Sequence, residues 1–180
     1  MKKISLIILP LLLIIGCSDP VNISNLTTKD DLVYRTGSSK TFSGKFYKND
    51  LDGNKKIEGI YKDGILKNKT EYEKSGYNLF TQFFDNGNKK TEYFIISKAL
   101  WKSRKYDGPR YDSSFTSWYQ NYNLKEKGTY KNGLEDGVWN EWYEDGQKKS
   151  EANYKNGLED GAWNEWYEDG QKKSEANYKN

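Results

Sequence analysis

Aromatic and polar residues alternate along the last part of the chain, between glycine-containing dipeptides that recur at regular intervals. Lys131–Tyr154 and Lys155–Tyr178 are two copies of one 24-residue unit, and they differ only where Val138 is replaced by Ala162. A fixed period of this length is typical of stacked supersecondary units rather than of one irregular core. The pattern therefore predicts a repeat protein whose surface presents the same residues at regular steps.

Each unit contains two dipeptides that favour tight turns. Asp145-Gly146 and Asn156-Gly157 are typical of type I′ hairpins, in which both central residues need positive φ. If both turns are two-residue loops, residue 139 lies opposite 152, 154 opposite 159 and 150 opposite 163. Side chains along a strand alternate between faces, so one face is predicted to carry an aromatic ladder. Its members are Trp139, Tyr143, Ala152, Tyr154, Trp163 and Tyr167, with Glu141, Lys148 and Ser150 beside them. The opposite face is predicted to carry Asn140, Trp142, Gln147, Lys149, Glu151 and Asn153.

The repeat continues upstream in a weaker form. Asp52-Gly53 and Asn86-Gly87 are each followed by the Lys-Lys and Glu that also follow Asp145-Gly146. Units are therefore predicted to begin near residues 44, 78, 113, 137 and 161. The first two intervals exceed the period, which predicts insertions near 68–77 and 98–111. The sequence predicts an all-β repeat sheet over 44–180.

The start of the chain has the pattern of an export signal. Lys2 and Lys3 precede an apolar run that extends to Ile15, which is too short to span a bilayer but fits a secretory signal. The run ends in Gly16-Cys17, and this ending resembles the lipobox of bacterial lipoproteins. The resemblance implies cleavage after residue 16, lipidation of Cys17, and an outer-membrane location if the bacterium has an outer membrane. Residues 1–16 are then a lipoprotein signal peptide, and 17–43 are predicted to be the lipidated cysteine and a polar tether.

Composition excludes several kinds of chemistry. The chain has no histidine, and Cys17 is its single cysteine, so the commonest general base and the usual zinc ligands are missing. We expect no cofactor, no metal site and no enzymatic activity. Residues 18–130 carry a net charge of +6, whereas residues 131–178 carry −6. This asymmetry argues against a simple polybasic nucleic-acid binder.

The spacing Gly-x-Trp-x-x-Trp-Tyr-x-Asp-Gly, followed by Tyr-Lys-Asn-Gly, resembles the bacterial variant of the MORN repeat. The resemblance is strong in the last two units and weaker in those that begin near 44, 78 and 113. It implies an extended, twisted antiparallel sheet of tandem hairpins. Members of the family serve as membrane-associated or protein-binding scaffolds, and some bacterial members are described as antitoxin-like.

Basic and aromatic residues are interleaved in the second insertion, where no acidic residue occurs between Glu92 and Asp107. Such a segment is a candidate for contact with an anionic surface, and an exported protein would meet anionic headgroups or an acidic partner rather than nucleic acid. A solvated loop is the alternative interpretation. The candidate contact residues are Lys98, Trp101, Lys102, Arg104, Lys105 and Arg110.

Two further patterns invite a functional interpretation. Trp142 and Trp166 fall on the polar face, where they could stack on a ligand such as a sugar ring, or lie under Lys149 and Lys173 as cation–π partners. Glu141 and Glu144 could be an acid–base pair, but repeated carboxylates on exposed strands have no reason to differ in pKa. Cross-strand pairing with Lys148 or Ser150 explains them better.

Together these observations predict a lipid-anchored, exported, non-catalytic repeat protein that binds or scaffolds other components of the bacterial envelope. The membrane, through acylated Cys17, and a protein or an anionic envelope component are the expected partners. An immunity or antitoxin-type protein that blocks a toxin is one alternative, and a glycan-binding module is another.

Overall fold

The computed structural model describes residues 19–73, 76–96 and 111–180. These residues form β-strands and turns, with one short 3-10 helix at Ile23–Asn25. Within these ranges no helix is long and apolar enough to cross a bilayer. The strands are β1 Val21–Asn22, β2 Leu26–Lys29, β3 Leu32–Arg35, β4 Gly44–Asn49, β5 Lys55–Lys62, β6 Ile65–Glu71, β7 Tyr77–Phe83, β8 Lys89–Ile96, β9 Tyr111–Trp118, β10 Leu124–Lys131, β11 Leu134–Glu135, β12 Gly137–Trp142, β13 Lys148–Lys155, β14 Leu158–Trp166 and β15 Lys172–Tyr178.

One long sheet contains almost all of these strands. From β4 to β15 the strands follow one another in chain order and pair antiparallel, with the short β11 attached to β10 beside the main path. β1 adds a parallel pairing on β4, and β2 and β3 form a separate hairpin. The predicted all-β sheet of tandem hairpins is confirmed. Each unit predicted from the sequence corresponds to one hairpin, namely β4–β5, β7–β8, β9–β10, β12–β13 and β14–β15.

The two turn types of the repeat differ from each other. Asn156 and Gly157 both have positive φ, 53° and 79°, as the predicted type I′ turn requires. At Asp145-Gly146 only the glycine has positive φ, at 92°, and its N–H donates to the Tyr143 carbonyl at 3.0 Å. This second turn is therefore a longer loop closed by glycine rather than the predicted two-residue type I′ turn.

The longer loop shifts the register of the hairpin that it closes. Glu141 lies opposite Ser150, but Trp142 lies opposite Lys148, so Lys149 is an extra residue in a β-bulge. A bulge interrupts the alternation of side chains between the two faces. Lys148 and Lys149 therefore each lie on the face that was predicted for the other. Lys149 pairs with Glu141 on the ladder face, whereas Lys148 pairs with Glu151 on the opposite face. The prediction that placed Lys148 on the ladder face and Lys149 on the other was wrong.

The predicted pairings of the aromatic residues are confirmed in part. Residue 139 lies opposite 152, and 154 lies opposite 159, as expected. Residue 163 lies opposite 152 rather than 150. Between this pair and the pair of 154 with 159, the chain advances two residues in β13 but four in β14, so β14 contains two extra residues. An even number of extra residues leaves the side chains on the same face, so Trp139, Ala152 and Trp163 still share the ladder face.

The first predicted insertion includes part of a complete additional strand, β6. Tyr47, Glu58, Thr70 and Phe80 lie opposite one another in adjacent strands and so share a face. Phe46, the neighbour of Tyr47, must then point to the other side. The extra strand thus moves Phe46, the counterpart of Trp139 in the first unit, off the ladder face, and the ladder begins at Phe80.

Residues 17–43 differ from the predicted polar tether wherever the structure describes them. Val33 and Phe42 are buried and pack with Phe46 in a hydrophobic cluster. The Val33 N–H donates to the Gly64 carbonyl at 3.0 Å, which ties this segment to the turn after β5. The physical reason is the added strand, because Phe46 faces away from the ladder and the N-terminal hairpin supplies the apolar residues that bury it.

Candidate functional site

An aromatic ladder crosses the sheet on one face from β7 to β12. Ring centroids are 5.0 Å apart between Phe80 and Tyr93, 6.2 Å between Tyr93 and Phe115, and 5.6 Å between Phe115 and Trp139. These distances lie in the range of favourable aromatic pairs. Trp163 continues the ladder across Ala152. The ladder gives this face a continuous apolar ridge.

Glycine and alanine make room for the tryptophans of the ladder. A Cβ atom at Gly128 would lie 2.2 Å from the Trp139 ring, so the indole lies directly on the backbone of β10. The same indole donates from Nε1 to the Thr129 carbonyl at 3.2 Å. Trp139 is only 7% exposed, and Ala152 on its other side is 4% exposed. The ridge is therefore fixed in position by close packing.

A polar row runs beside the ladder on the same face. Its members lie opposite one another in successive strands, and we call them the carboxylate row: Thr91, Ser117, Glu126, Glu141, Ser150, Glu165 and Ser174. Lys149 and its equivalent Lys173 are the extra residues of the bulges in the last two hairpins, and both form ion pairs with this row. Lys149 lies 2.8 Å from Glu141, and Lys173 lies 3.1 Å from Glu165.

Glu126 is the carboxylate of the row that forms no salt bridge with a described residue, whereas Glu141 and Glu165 each form one. It lies directly opposite Glu141, so two carboxylates are cross-strand neighbours. Burial raises the pKa of Glu126, and the negative charge of Glu141 raises it further. By contrast, the hydrogen bond to Glu141 raises the pKa of Lys149 and keeps that lysine protonated. The charges of Lys125 and Lys149 lower the pKa of Glu126 and so offset part of the increase.

Two cavities open along this row. The first, of about 390 Å³, is called here the acidic groove. Its aromatic and apolar lining is Trp139, Ala152, Tyr154 and Trp163, and its carboxylates are Glu126, Glu135, Glu141, Glu159 and Glu165. The second, of about 420 Å³, shares Glu126 and adds Ser117 and Tyr119, but its lining also includes the basic residues Lys90 and Lys125. Negative charge and aromatic surface thus coincide in the acidic groove.

Consecutive hairpins are tied together at their turns. The Tyr119 hydroxyl donates to the Trp142 carbonyl at 2.8 Å, and the Tyr143 hydroxyl donates to the Trp166 carbonyl at 2.8 Å, one repeat further on. Asn123 Nδ2 donates to the Glu144 carbonyl at the same edge, also at 2.8 Å. These repeated bonds fix the spacing between units, so residues one period apart are held at a regular distance.

Trp142 and Trp166 lie on the face opposite the ladder. The Lys148 ammonium is 5.9 Å from the centre of the Trp166 ring, and Lys89 is 5.7 Å from the ring of Trp118, the equivalent residue one unit before Trp142. The cation over Trp166 is thus Lys148 rather than the predicted Lys149 or Lys173, because the bulge moves Lys148 to that face. Stacking of a ligand on Trp142 and Trp166 stays a prediction.

Several residues singled out in the sequence lie outside the described residues. They are Cys17 and the basic candidates Lys98, Trp101, Lys102, Arg104, Lys105 and Arg110. In the described part of the chain, no group of three or more acidic residues is arranged to hold a metal ion.

The last two hairpins of the sheet have a counterpart among known repeat families. Residues 135–156 and 159–180 match the family model of the MORN repeat variant. The two matched segments cover β12–β13 and β14–β15, where the sequence period is strictest. No curated protein sequence matches the chain. The match thus identifies the two C-terminal hairpins as MORN-type repeat units.

Sequence reasoning missed the carboxylate row as a site. It considered Glu141 with Glu144, and their copies Glu165 with Glu168, only as acid–base pairs or as cross-strand partners of Lys148 or Ser150. Ser117 and Glu126 belong to a unit with weak similarity to the last two, so their alignment with Glu141 becomes visible only from the strand register. The signal that was present is the recurrence of glutamate at the same position of both final copies.

Proposed function

We propose that this protein is a lipid-anchored, exported, non-catalytic module that binds or scaffolds other components of the bacterial envelope. The observation that carries the proposal is the rigid periodic surface of the sheet. Each C-terminal hairpin adds equivalent residues to the carboxylate row and to the aromatic ladder. The hydrogen bonds from Tyr119 and Tyr143 to the next hairpin keep the spacing between hairpins constant. A surface of this kind suits an extended partner, because equivalent contacts recur along its length.

The same surface argues against a reaction centre. Glu141 and Glu165 occupy equivalent positions and each pairs with the bulge lysine of its own hairpin. Acid–base catalysis needs two groups whose surroundings separate their pKa values, whereas repetition makes the surroundings alike. We therefore propose binding without cofactor or metal, with a protein or an anionic envelope component as partner and no role for nucleic acid.

The anchor follows from the sequence around Cys17, whose lipidation would supply the acyl chains that stable membrane attachment requires. Cells that express the full chain should be labelled with an alkyne fatty acid and then fractionated. The wild-type chain should carry the label and sediment with membranes, whereas the Cys17→Ser variant should lose both properties. A Cys17→Ser chain that still carries label and sediments with membranes would contradict the proposed anchor.

Partners can be captured from the same cells by cross-linking before detergent extraction. Full chain and a variant without residues 98–111 should be compared, because the basic insertion and the repeat sheet are separate candidate surfaces. Recovery of the same envelope component with both chains would assign binding to the repeats. Loss of capture with the shortened chain would assign it to the insertion.

A further inference from the structure

The extra lysine of the bulge is neutralised within its own hairpin in the two C-terminal hairpins. Lys149 lies 2.8 Å from Glu141, and Lys173 lies 3.1 Å from Glu165. In both hairpins the glutamate is the last residue before the bulge that pairs in regular register, and a serine lies opposite it. These two hairpins therefore show which counter-ion the repeat supplies at this position.

The upstream hairpins β7–β8 and β9–β10 contain the same bulge but lack the glutamate. Their extra residues are Lys90 and Lys125. The position of the glutamate is occupied by Gln82 in the first of these hairpins and by Ser117 in the second. Neither lysine forms a salt bridge in the described part of the chain, and each ammonium lies 5.7 Å from the centre of an aromatic ring instead. Two cations thus lack the counter-ion that the repeat supplies elsewhere.

Both lysines line one cavity of about 420 Å³, which we call the mixed-charge cavity. Two carboxylates, Glu126 and Glu144, also line it, and neither forms a salt bridge with a described residue. Four charged groups of both signs therefore surround one space without forming an ion pair among themselves. A ligand with one negative and one positive group complements all four, whereas a simple anion or a simple cation complements only two of them.

The walls of the mixed-charge cavity are held in place by hydrogen bonds between neighbouring turns. The side-chain amides of Asn121 and Asn123 donate to the Glu144 carbonyl at 2.9 and 2.8 Å. On the other side, the Asn88 amide donates to the Gln120 carbonyl at 2.8 Å. The three turns that contribute to the lining are therefore fixed relative to one another. A ligand does not have to order them, which lowers the free-energy cost of binding.

We propose that the mixed-charge cavity binds a small zwitterion that carries a phosphate group and a primary ammonium group. The phosphate lies between Lys90 and Lys125, whose strands β8 and β10 are two strands and so about 9.6 Å apart. Two extended lysine side chains can close this distance around one phosphate and form charge-assisted hydrogen bonds to it. The ammonium group of the ligand donates hydrogen bonds to Glu126 and Glu144. The inference rests on the proposed function and deepens it, because it names the chemical class of one envelope ligand.

Binding should be measured by phosphorus NMR, from the broadening of the ligand signal when the purified full chain is added in a non-ionic detergent. The probe is phosphoethanolamine, and the control is glycerol phosphate, which has a phosphate but no ammonium group. We expect phosphoethanolamine to bind about three- to fivefold more tightly, the factor that one solvent-accessible ion pair contributes. Added salt should weaken the binding of both ligands. Equal affinities, or no broadening of the phosphoethanolamine signal at millimolar concentration, would overturn the proposal.

The lysines can be tested against a matched pair in the same chain. Lys90→Gln with Lys125→Gln should weaken phosphoethanolamine binding by about tenfold, because both cations beside the phosphate are lost. Lys149→Gln with Lys173→Gln removes the same charge from the same position of the last two hairpins and should change the affinity by less than about twofold. Circular dichroism verifies that both variants are folded. An equal loss in the two variants would show nonspecific attraction and refute the assignment to the cavity.

Two single substitutions test the two halves of the site separately. Glu144→Gln should weaken the binding of phosphoethanolamine and leave that of glycerol phosphate unchanged, because only the first ligand has an ammonium group. Gln82→Glu should weaken the binding of both ligands by about threefold, because it gives Lys90 the counter-ion that the last two hairpins have. If Glu144→Gln affects both ligands equally, the assignment of the ammonium group is wrong.

Vesicles distinguish a lipid headgroup from a free zwitterion as the source of this chemistry. The Cys17→Ser chain, which lacks the anchor, should be sedimented with phosphatidylcholine vesicles that do or do not contain phosphatidylethanolamine. Sedimentation that needs phosphatidylethanolamine and is reversed by soluble phosphoethanolamine assigns the headgroup, and binding of the soluble ligand alone assigns a free zwitterion. Ligand binding by purified protein is independent of lipidation. Its failure would therefore remove the cavity assignment and leave the results of the labelling and capture experiments unchanged.

Discussion

Replacement of Trp139 by alanine probes the central claim that the ladder holds the sheet together. The indole is 7% exposed and packs against the rings of Phe115 at 5.6 Å and Tyr130 at 5.1 Å. It also lies on the backbone of Gly128. Removal of the ring leaves a cavity that none of these rings can fill without leaving its own position, so we expect the sheet to be strongly destabilised.

The size of the effect follows from the buried area. A buried aromatic side chain covers about 150–250 Å², and about 25 cal/mol per Å² gives about 4–6 kcal/mol. This is an upper bound, because the denatured chain also buries part of its apolar surface. The Thr129 carbonyl also accepts a hydrogen bond from the Asp136 N–H at 2.9 Å. It therefore still has a donor after the Trp139 indole is removed, and no unsatisfied acceptor adds to the loss of stability. We expect a loss of about 3–5 kcal/mol.

The assay is urea unfolding followed by far-UV circular dichroism, in a Cys17→Ser background that avoids the lipid. Trp142→Ala is the matched control, because it removes the same side chain from the half-buried opposite face of the same strand. It should cost clearly less. If Trp142→Ala costs as much as Trp139→Ala, or if Trp139→Ala costs less than about 1 kcal/mol, the assignment of the core to the ladder face is wrong. The dependence of unfolding on urea should be compared between variants, because a changed slope would indicate a broken repeat array.

Three further predictions concern other parts of the sheet. Tyr143→Phe removes the hydroxyl that bonds to the Trp166 carbonyl and should cost about 0.5–1.5 kcal/mol. Tyr167→Phe, whose ring is 52% exposed at the equivalent position, should change the unfolding free energy little. The raised pKa of Glu126 means that its ionised form costs folding stability, so Glu126→Gln should raise the melting temperature at pH 7 and lose this advantage below pH 4.5, the ordinary pKa. Deletion of Lys155–Tyr178 should leave a folded sheet of lower melting temperature, and unfolding of the whole chain would refute independent repeats.

Local patterns in the chain were enough to predict the repeat and its hairpins. Turn dipeptides and alternating aromatic residues specify β-hairpins because their physical causes, positive φ at Gly157 and the two-residue period of a strand, act over a few residues. The 24-residue copy, which differs at a single position, made the last two units unambiguous. For the same reason Trp139 could be assigned to the buried face before its contacts were known.

Features that depend on counting residues between strands could not be predicted in this way. The loop after Tyr143 adds a bulge that exchanges Lys148 and Lys149 between faces, although the dipeptide Asp145-Gly146 also suits a tighter turn. The strand β6 moves Phe46 to the other side of the sheet, where the N-terminal segment buries it. One extra residue in a strand, or one extra strand in the sheet, moves the side chains that follow to the opposite face. The local preferences of the residues for turns and strands do not reveal such a change.

The sequence by itself determined the unit of this protein, a hairpin with an aromatic residue facing inward and a glycine at each turn. Only the tertiary structure decided which units share a face, because that depends on the register between strands far apart in the chain. The carboxylate row shows this most clearly. Ser117, Glu126 and Glu141 come from three strands and lie together only because hydrogen bonding aligns them across the sheet.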